Sequence, residues 1–100
     1  MVKHIVLWAV KDEAAGLSKK QILAEMKSKL EALVPVIKEV KKMEVGFNFL
    51  ESPAAWDIAL YTEFDSKDAL NAYQVHPEHV KLKDFIMSVT DKRAVVDYEI

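Results

Sequence analysis

Residues 2–10, VKHIVLWAV, are predicted to form a β-strand with apolar side chains on both of its faces. One face carries Val2, His4, Val6, Trp8 and Val10, and the other carries Lys3, Ile5, Leu7 and Ala9. An antiparallel sheet with one face in water normally alternates apolar and polar residues along each strand. Because this strand does not, we expect both faces of the sheet to be covered.

The chain after this strand predicts a polar loop over residues 12–17, a helix and a second strand. Ser18 and Gln21 have the spacing of a capping box at a helix start, and Pro35 is expected to end that helix. The inward stripe of the helix is Ile22, Met26, Leu30 and Leu33, widened by Leu23. Strand-like alternation follows over residues 36–50, with a bulge or a bend expected near Lys41 and Lys42 because Val40 has the opposite parity. Its apolar face is Met43, Val45, Phe47 and Phe49.

The second half predicts a strand, a broken helical region and a last strand. Alternation over residues 56–64 indicates the third strand, and Ser66 is a favourable N-cap for a short helix through Tyr73. Pro77 suits the first turn of another helix, whose amphipathic stripe is Leu82, Phe85, Ile86 and Val89. Residues 93–100 complete the order βαββαβ. We therefore predict one α+β domain over residues 1–100: a ferredoxin-like, four-stranded antiparallel sheet with helices on one face.

This arrangement leaves the other sheet face open, and that face is apolar as well. The residues expected there are Ile5, Leu7, Ala9, Ala59 and Tyr61. A soluble monomer rarely exposes so large an apolar surface. Since two such sheets can pack face to face, and twofold symmetry is the commonest arrangement, we expect a homodimer.

Composition excludes several classes of protein. The net charge is −2 without a basic stripe, which argues against nucleic-acid binding, and the chain has no cysteine. No apolar run approaches the roughly 20 residues of a membrane span, and the first residues lack the features of a secretion signal. We expect a cytoplasmic protein that binds neither nucleic acid nor membrane.

Four segments resemble the stress-responsive dimeric α/β-barrel (Dabb) family over essentially the whole length. They are VKHIVLW at the start, FDS before the short helix, AYQVHPEHV at residues 72–80 and VVDYE near the end. The resemblance implies a ferredoxin-like subunit whose sheet packs against that of a second subunit to form a barrel. The segment from Tyr73 to His79 is similar to that of olivetolic acid cyclase, a family member that closes a polyketide ring.

This resemblance implies the candidate site. His79 matches the catalytic histidine of the cyclase and Tyr73 its catalytic tyrosine, whereas His4 and Asp97 match residues of the same pocket. In a ferredoxin-like sheet the first and last strands are neighbours, so we expect His4 and Asp97 to lie close together on one face. A carboxylate beside His4 would fix its tautomer and raise its basicity. Trp8 and His76 complete the expected ligand-binding set, although Trp8 is also a candidate core residue and His76 a candidate helix cap. The bulky stretch 80–83 differs from the glycine-containing stretch of the cyclase and argues against its long polyketide substrate.

Two classes of function remain open at this point. The first is a non-catalytic dimer that binds a small apolar molecule between helices and sheet, or that serves a protective role in stress, as the family name implies. The second is a cofactor-free cyclase or lyase with His79 as general base and Tyr73 as general acid; a monooxygenase is a further alternative by analogy of fold alone. His-Pro-x-His lacks the helical spacing of zinc ligands, so we expect no metal and no cofactor.

Overall fold

The computed structural model describes residues 1–100 and contains a four-stranded antiparallel sheet with three helices on one side. The elements are β1 (Val2–Val10), β2 (Glu13–Ala14), β3 (Leu17–Ser18), α1 (Lys19–Glu31), β4 (Lys42–Phe47), β5 (Ile58–Phe64), α2 (Lys67–Val75), α3 (Pro77–Val89) and β6 (Thr90–Glu99). The strand order is β4-β5-β1-β6, so the first and last strands are neighbours. This is the ferredoxin-like arrangement predicted from the sequence.

Strand β1 lies inside the sheet and shows most clearly how the two faces of the sheet differ in burial. Its even-numbered residues are buried under the helices, whereas its odd-numbered residues are only partly buried. We call these two faces of the sheet the helix side and the open side. The same alternation in β5 buries Ile58, Leu60, Thr62 and Phe64 on the helix side.

Helix α1 begins as predicted but ends before the predicted residue. The Ser18 hydroxyl accepts from the Gln21 N–H and the Gln21 side chain accepts from the Ser18 N–H, which completes the capping box. The regular helix ends at Glu31, and consecutive turns carry the chain past Pro35 to Ile37. Proline was therefore not the terminator, because hydrogen bonds from residues 33 and 34 to carbonyls three positions earlier tighten the chain first.

The predicted second strand was too long. Its pairing with β5 has no bulge, and the chain bends instead in the turns that precede the strand. Residues 36–41 form turns and irregular chain, and β4 occupies only Lys42–Phe47. Val40 is buried although it lies outside the strand. Phe49 follows the strand and is 98% exposed. The register shift of the sheet lies elsewhere, between Ala9 and Val10 where β1 pairs with β6.

The predicted loop over residues 12–17 contains a small hairpin. Strands β2 and β3 pair Glu13 with Ser18 and Ala14 with Leu17. The two residues between them, Ala15 and Gly16, have φ of 54° and 75°. Positive φ at both central positions is the type I′ geometry that suits two-residue hairpins.

Helices α2 and α3 follow each other across a single residue, His76. The Ser66 hydroxyl caps α2, which runs two residues beyond the predicted end, and Pro77 occupies the first turn of α3 as predicted. Leu82, Ile86 and Val89 are buried, while Phe85 is partly buried at the edge of the core. Strands β5 and β6 also differ slightly from prediction: β5 starts two residues later and β6 three residues earlier.

None of the three helices combines the length and apolarity needed to cross a bilayer. In a single chain the predicted apolar residues of the open side are partly exposed. On β6 this side adds Val96, 52% exposed, and Tyr98, 41% exposed.

Candidate functional site

A cleft of about 500 Å³ lies between α3 and the helix side of the sheet. Its apolar wall is formed by Val6, Trp8, Leu30, Leu60, Leu82 and Ile86. His4 and His79 bring imidazole groups into this apolar lining. Small-molecule sites combine such a lining with a few polar groups, in volumes of about 300–1,000 Å³.

His79 is half-buried on α3 and its tautomer follows from its backbone contact. Its Nδ1 lies 3.0 Å from the carbonyl oxygen of Gln74. Because a carbonyl can only accept, Nδ1 carries the proton and Nε2 is left with a lone pair. Burial lowers the pKa of His79 below 6.5, aided by nearby positive groups that include Lys83 and Arg93. His79 is therefore a neutral base at neutral pH.

His4 and Asp97 are paired neighbours on β1 and β6, as the sequence predicted. The buried His4 ring donates from Nδ1 to the half-exposed carboxylate of Asp97. This bond holds the His4 ring in one orientation and one tautomer. Asp97 itself does not line the cleft, so it acts on the cleft only through His4.

Tyr73 lies against both histidines but does not line the cleft. Its ring centroid is 4.5 Å from that of His79, 5.1 Å from that of Phe64 and 6.4 Å from that of His4. The hydroxyl is buried and has no hydrogen-bond partner. Burial raises the pKa of Tyr73 to about 12, so the hydroxyl stays protonated at neutral pH. It is therefore available as a hydrogen-bond donor to a ligand.

The sequence profile of the Stress responsive A/B Barrel Domain matches residues 2–100. The chain belongs to this family. Among curated relatives of this Dabb chain, an uncharacterized protein of Streptomyces coelicolor is 32% identical over 79 residues, which is 79% of each chain. A stress-response A/B barrel domain-containing protein of Arabidopsis thaliana is 26% identical over 99 residues; these span 98% of this chain but 36% of the plant protein.

Solved structures that share the fold of this Dabb chain include dimeric proteins. A dimeric ferredoxin-like protein from Bacteroides fragilis is 39% identical with a TM-score of 0.85, covering 99% of this chain and 95% of that one. The Arabidopsis thaliana protein At3g17210 is 28% identical with a TM-score of 0.84, covering 100% and 95%. A hydroxynitrile lyase from Passiflora edulis has a TM-score of 0.83 at 19% identity, covering 99% and 92%, which is a likeness of fold alone.

His76, like Tyr73 and Asp97, lies outside the cleft lining, and its ring has a structural partner instead. Its Nδ1 accepts a hydrogen bond of 3.1 Å from the Glu78 N–H, which makes it the N-cap of α3. It does not line the cleft, its position as a helix cap is the one predicted from the sequence, and its role in ligand binding stays a prediction. The helix start at Pro77 leaves orphan N–H groups, and the nearest acceptor satisfies one of them.

The structure also adds residues that the sequence analysis missed. Gln74 holds the His79 ring, and the cleft is further lined by Lys83, Asp91, Lys92 and Arg93. Among these residues, only Lys83 could have been predicted from the sequence, because it is four residues after His79 and so shares its helical face. No three His, Cys, Asp or Glu side chains come together as a metal-binding group.

Proposed function

We propose that this Dabb protein is a homodimer that binds a small, largely apolar molecule in the cleft between α3 and the sheet. The observation that carries the proposal is the cleft itself, about 500 Å³ with an apolar wall and two imidazoles. Such a lining removes apolar ligand surface from water while offering a few directional polar contacts. The family description is consistent with a role in stress, which ligand capture would serve.

The homodimer half of the proposal is supported by the open side of the sheet. A dimeric protein from Bacteroides fragilis shares this fold at 39% identity. In the single chain, Ile5, Leu7 and Val96 remain partly or largely exposed on that side. Packing against a second copy would remove this apolar area from water.

Binding is tested with N-phenyl-1-naphthylamine, a neutral apolar dye whose fluorescence rises in apolar surroundings. We expect saturable binding that octan-1-ol displaces. Met87→Trp should weaken binding, because Met87 lines the cleft and is 65% exposed, so a larger ring narrows the mouth without entering the core. The matched control is Val75→Trp, also exposed but outside the cleft lining. A folded protein without dye binding would refute the proposal.

A second candidate is a cofactor-free cyclase or lyase, and the state of His79 favours it. The bond to Gln74 leaves Nε2 unprotonated, and the lowered pKa keeps it so at neutral pH. That atom could remove a proton from a carbon next to a carbonyl. Tyr73 would donate to the resulting enolate oxygen, which requires its buried hydroxyl to be uncovered.

This candidate separates from simple binding by turnover of small enolisable polyketides. We expect His79→Gln and Tyr73→Phe to abolish turnover while the dimer and dye binding persist. Dye binding without turnover of any such substrate would leave binding as the function and reject catalysis. The hydroxynitrile lyase of the same fold carries no weight here, because only its fold is alike.

A further inference from the structure

The mouth of the cleft is cationic, although the chain as a whole is acidic. Lys83, Lys92 and Arg93 line it together with one carboxylate, that of Asp91. The net charge of the chain is −2. The concentration of positive charge is therefore local to this opening.

The two cations Lys83 and Arg93 stand on opposite walls of the cleft. Lys83 lies one helical turn after His79 on α3. Arg93 lies on β6 opposite Trp8, on the helix side of the sheet. The positive charges of both also help to lower the pKa of His79, which indicates that they act on the same space.

These cations have no partner within the chain. Ion pairs engage Lys19, Lys29, Lys41, Lys42, Lys67 and Lys81, but neither Lys83 nor Arg93. Lys92 is partly engaged, since its Nζ lies 4.8 Å from the ring centroid of Trp56. A free guanidinium beside an apolar cleft is suited to paired hydrogen bonds with a carboxylate.

We infer that the ligand is an apolar carboxylic acid, with its carboxylate between Arg93 and Lys83 and its apolar part against Trp8 and Ile86. This inference rests on the proposed binding function and names the class of ligand. The carboxylate would meet the unpaired cations, while the rest would fill the apolar wall. Charge complementarity then gives the ligand one orientation, with the imidazoles beside its body.

Octanoate and octan-1-ol are the probes, because they share a chain and differ in the head group. Binding to the wild-type protein is followed by displacement of N-phenyl-1-naphthylamine. At 20 mM NaCl we expect octanoate to bind about tenfold more tightly than octan-1-ol, a difference in binding free energy of about 1.4 kcal/mol. Raising NaCl to 200 mM should reduce that advantage and leave octan-1-ol unchanged, because salt screens charge.

Charge-removing variants locate the effect. Lys83→Gln with Arg93→Gln should abolish the preference for octanoate while octan-1-ol still binds. The matched control is Lys20→Gln with Lys38→Gln, two exposed lysines outside the cleft and without ion pairs. Equal affinities of the two probes for wild type would overturn the inference and leave the binding proposal intact. Binding of neither the probes nor the dye would overturn both.

Discussion

His79 and Tyr73 illustrate opposite effects of the same burial. Removing a group from water disfavours its charged form, so the pKa of the imidazole falls while that of the phenol rises. Both groups are consequently neutral at neutral pH, one as a potential proton acceptor and the other as a potential donor. Their ring centroids are 4.5 Å apart, so a ligand bound beside His79 is also close to Tyr73.

The lowered pKa of His79 predicts how stability depends on pH. Between the folded-state pKa and the ordinary value of 6.5, the unfolded chain holds more of the His79 proton than the folded chain does. The free energy of unfolding should therefore fall as pH decreases from 7 to 5. In His79→Gln the free energy of unfolding, measured with urea across this pH range, should depend less steeply on pH than in wild type. Identical slopes for the variant and wild type would contradict the assigned shift.

The unpartnered hydroxyl of Tyr73 predicts an unusual mutational effect. A buried polar group without a hydrogen bond destabilises the folded state, so Tyr73→Phe should keep or raise the free energy of unfolding, by about 1 kcal/mol. The control is Tyr61→Phe, which removes a hydroxyl that donates to Glu63 at 2.6 Å. Urea unfolding measures both. A loss of more than about 1 kcal/mol in Tyr73→Phe would mean that the hydroxyl is hydrogen-bonded after all.

At the level of elements, His76 joins two helices and its role is separable from ligand binding. Asn is among the best N-caps, so His76→Asn should preserve stability, whereas His76→Ala should lose about 1 kcal/mol. Thermal and urea unfolding report the difference. Dye and octanoate binding should be the same in both variants, because His76 is outside the cleft. Binding that is lost in His76→Asn despite an intact fold would show that His76 takes part in ligand binding.

The β2–β3 hairpin predicts a stabilising substitution. Ala15 has a φ of 54°, a left-handed conformation that costs an L-residue about 1–2 kcal/mol and that Asn adopts more readily. Ala15→Asn should raise the free energy of unfolding by about 0.5–1 kcal/mol. Gly16→Ala, at a φ of 75° with open space around its Cα, should lower it through backbone strain alone. Equal stabilities of the two variants would exclude this account of the turn.

The sequence predicted the centres of these elements better than their ends. The capping box at Ser18 and the proline start of α3 are local chemistry, so both were recognisable and both were confirmed. The end of α1 and the short β4 depend on how residues 32–41 turn under the sheet, which no local pattern specifies. The apolar alternation around Phe49 continued past β4 into a loop, because exposed apolar residues produce the same pattern as buried ones.

For the whole molecule, the candidate site divides in the same way. The pairing of His4 with Asp97 follows from strand order, which the predicted topology contained. The position of Arg93 at the cleft mouth does not follow from strand order, because it depends on how α3 packs over β6. His76 was expected both as a ligand-binding residue and as a helix cap, and the first turn of α3 uses its ring nitrogen as a cap.

The open side of the sheet has the anatomy of an interface. Leu7 lies between Ala59 and Ala94 on the neighbouring strands. Because these two side chains are small, a second sheet could approach the open side closely around Leu7. Towards the start of β1, Lys3 pairs with Glu63 and Tyr98, which gives this end of the patch a polar rim. An apolar centre with a polar rim is characteristic of subunit interfaces.

Leu7→Asp should therefore prevent dimer formation. Twofold symmetry introduces the carboxylate twice, and each would be buried without a partner. Sedimentation at micromolar concentration should give twice 11.4 kDa for wild type and 11.4 kDa for the variant. Val75→Asp places the same charge on an exposed apolar position of α2 and should remain dimeric. A wild-type protein that sediments at 11.4 kDa would refute the homodimer, and a dimeric Leu7→Asp would move the interface away from the open side.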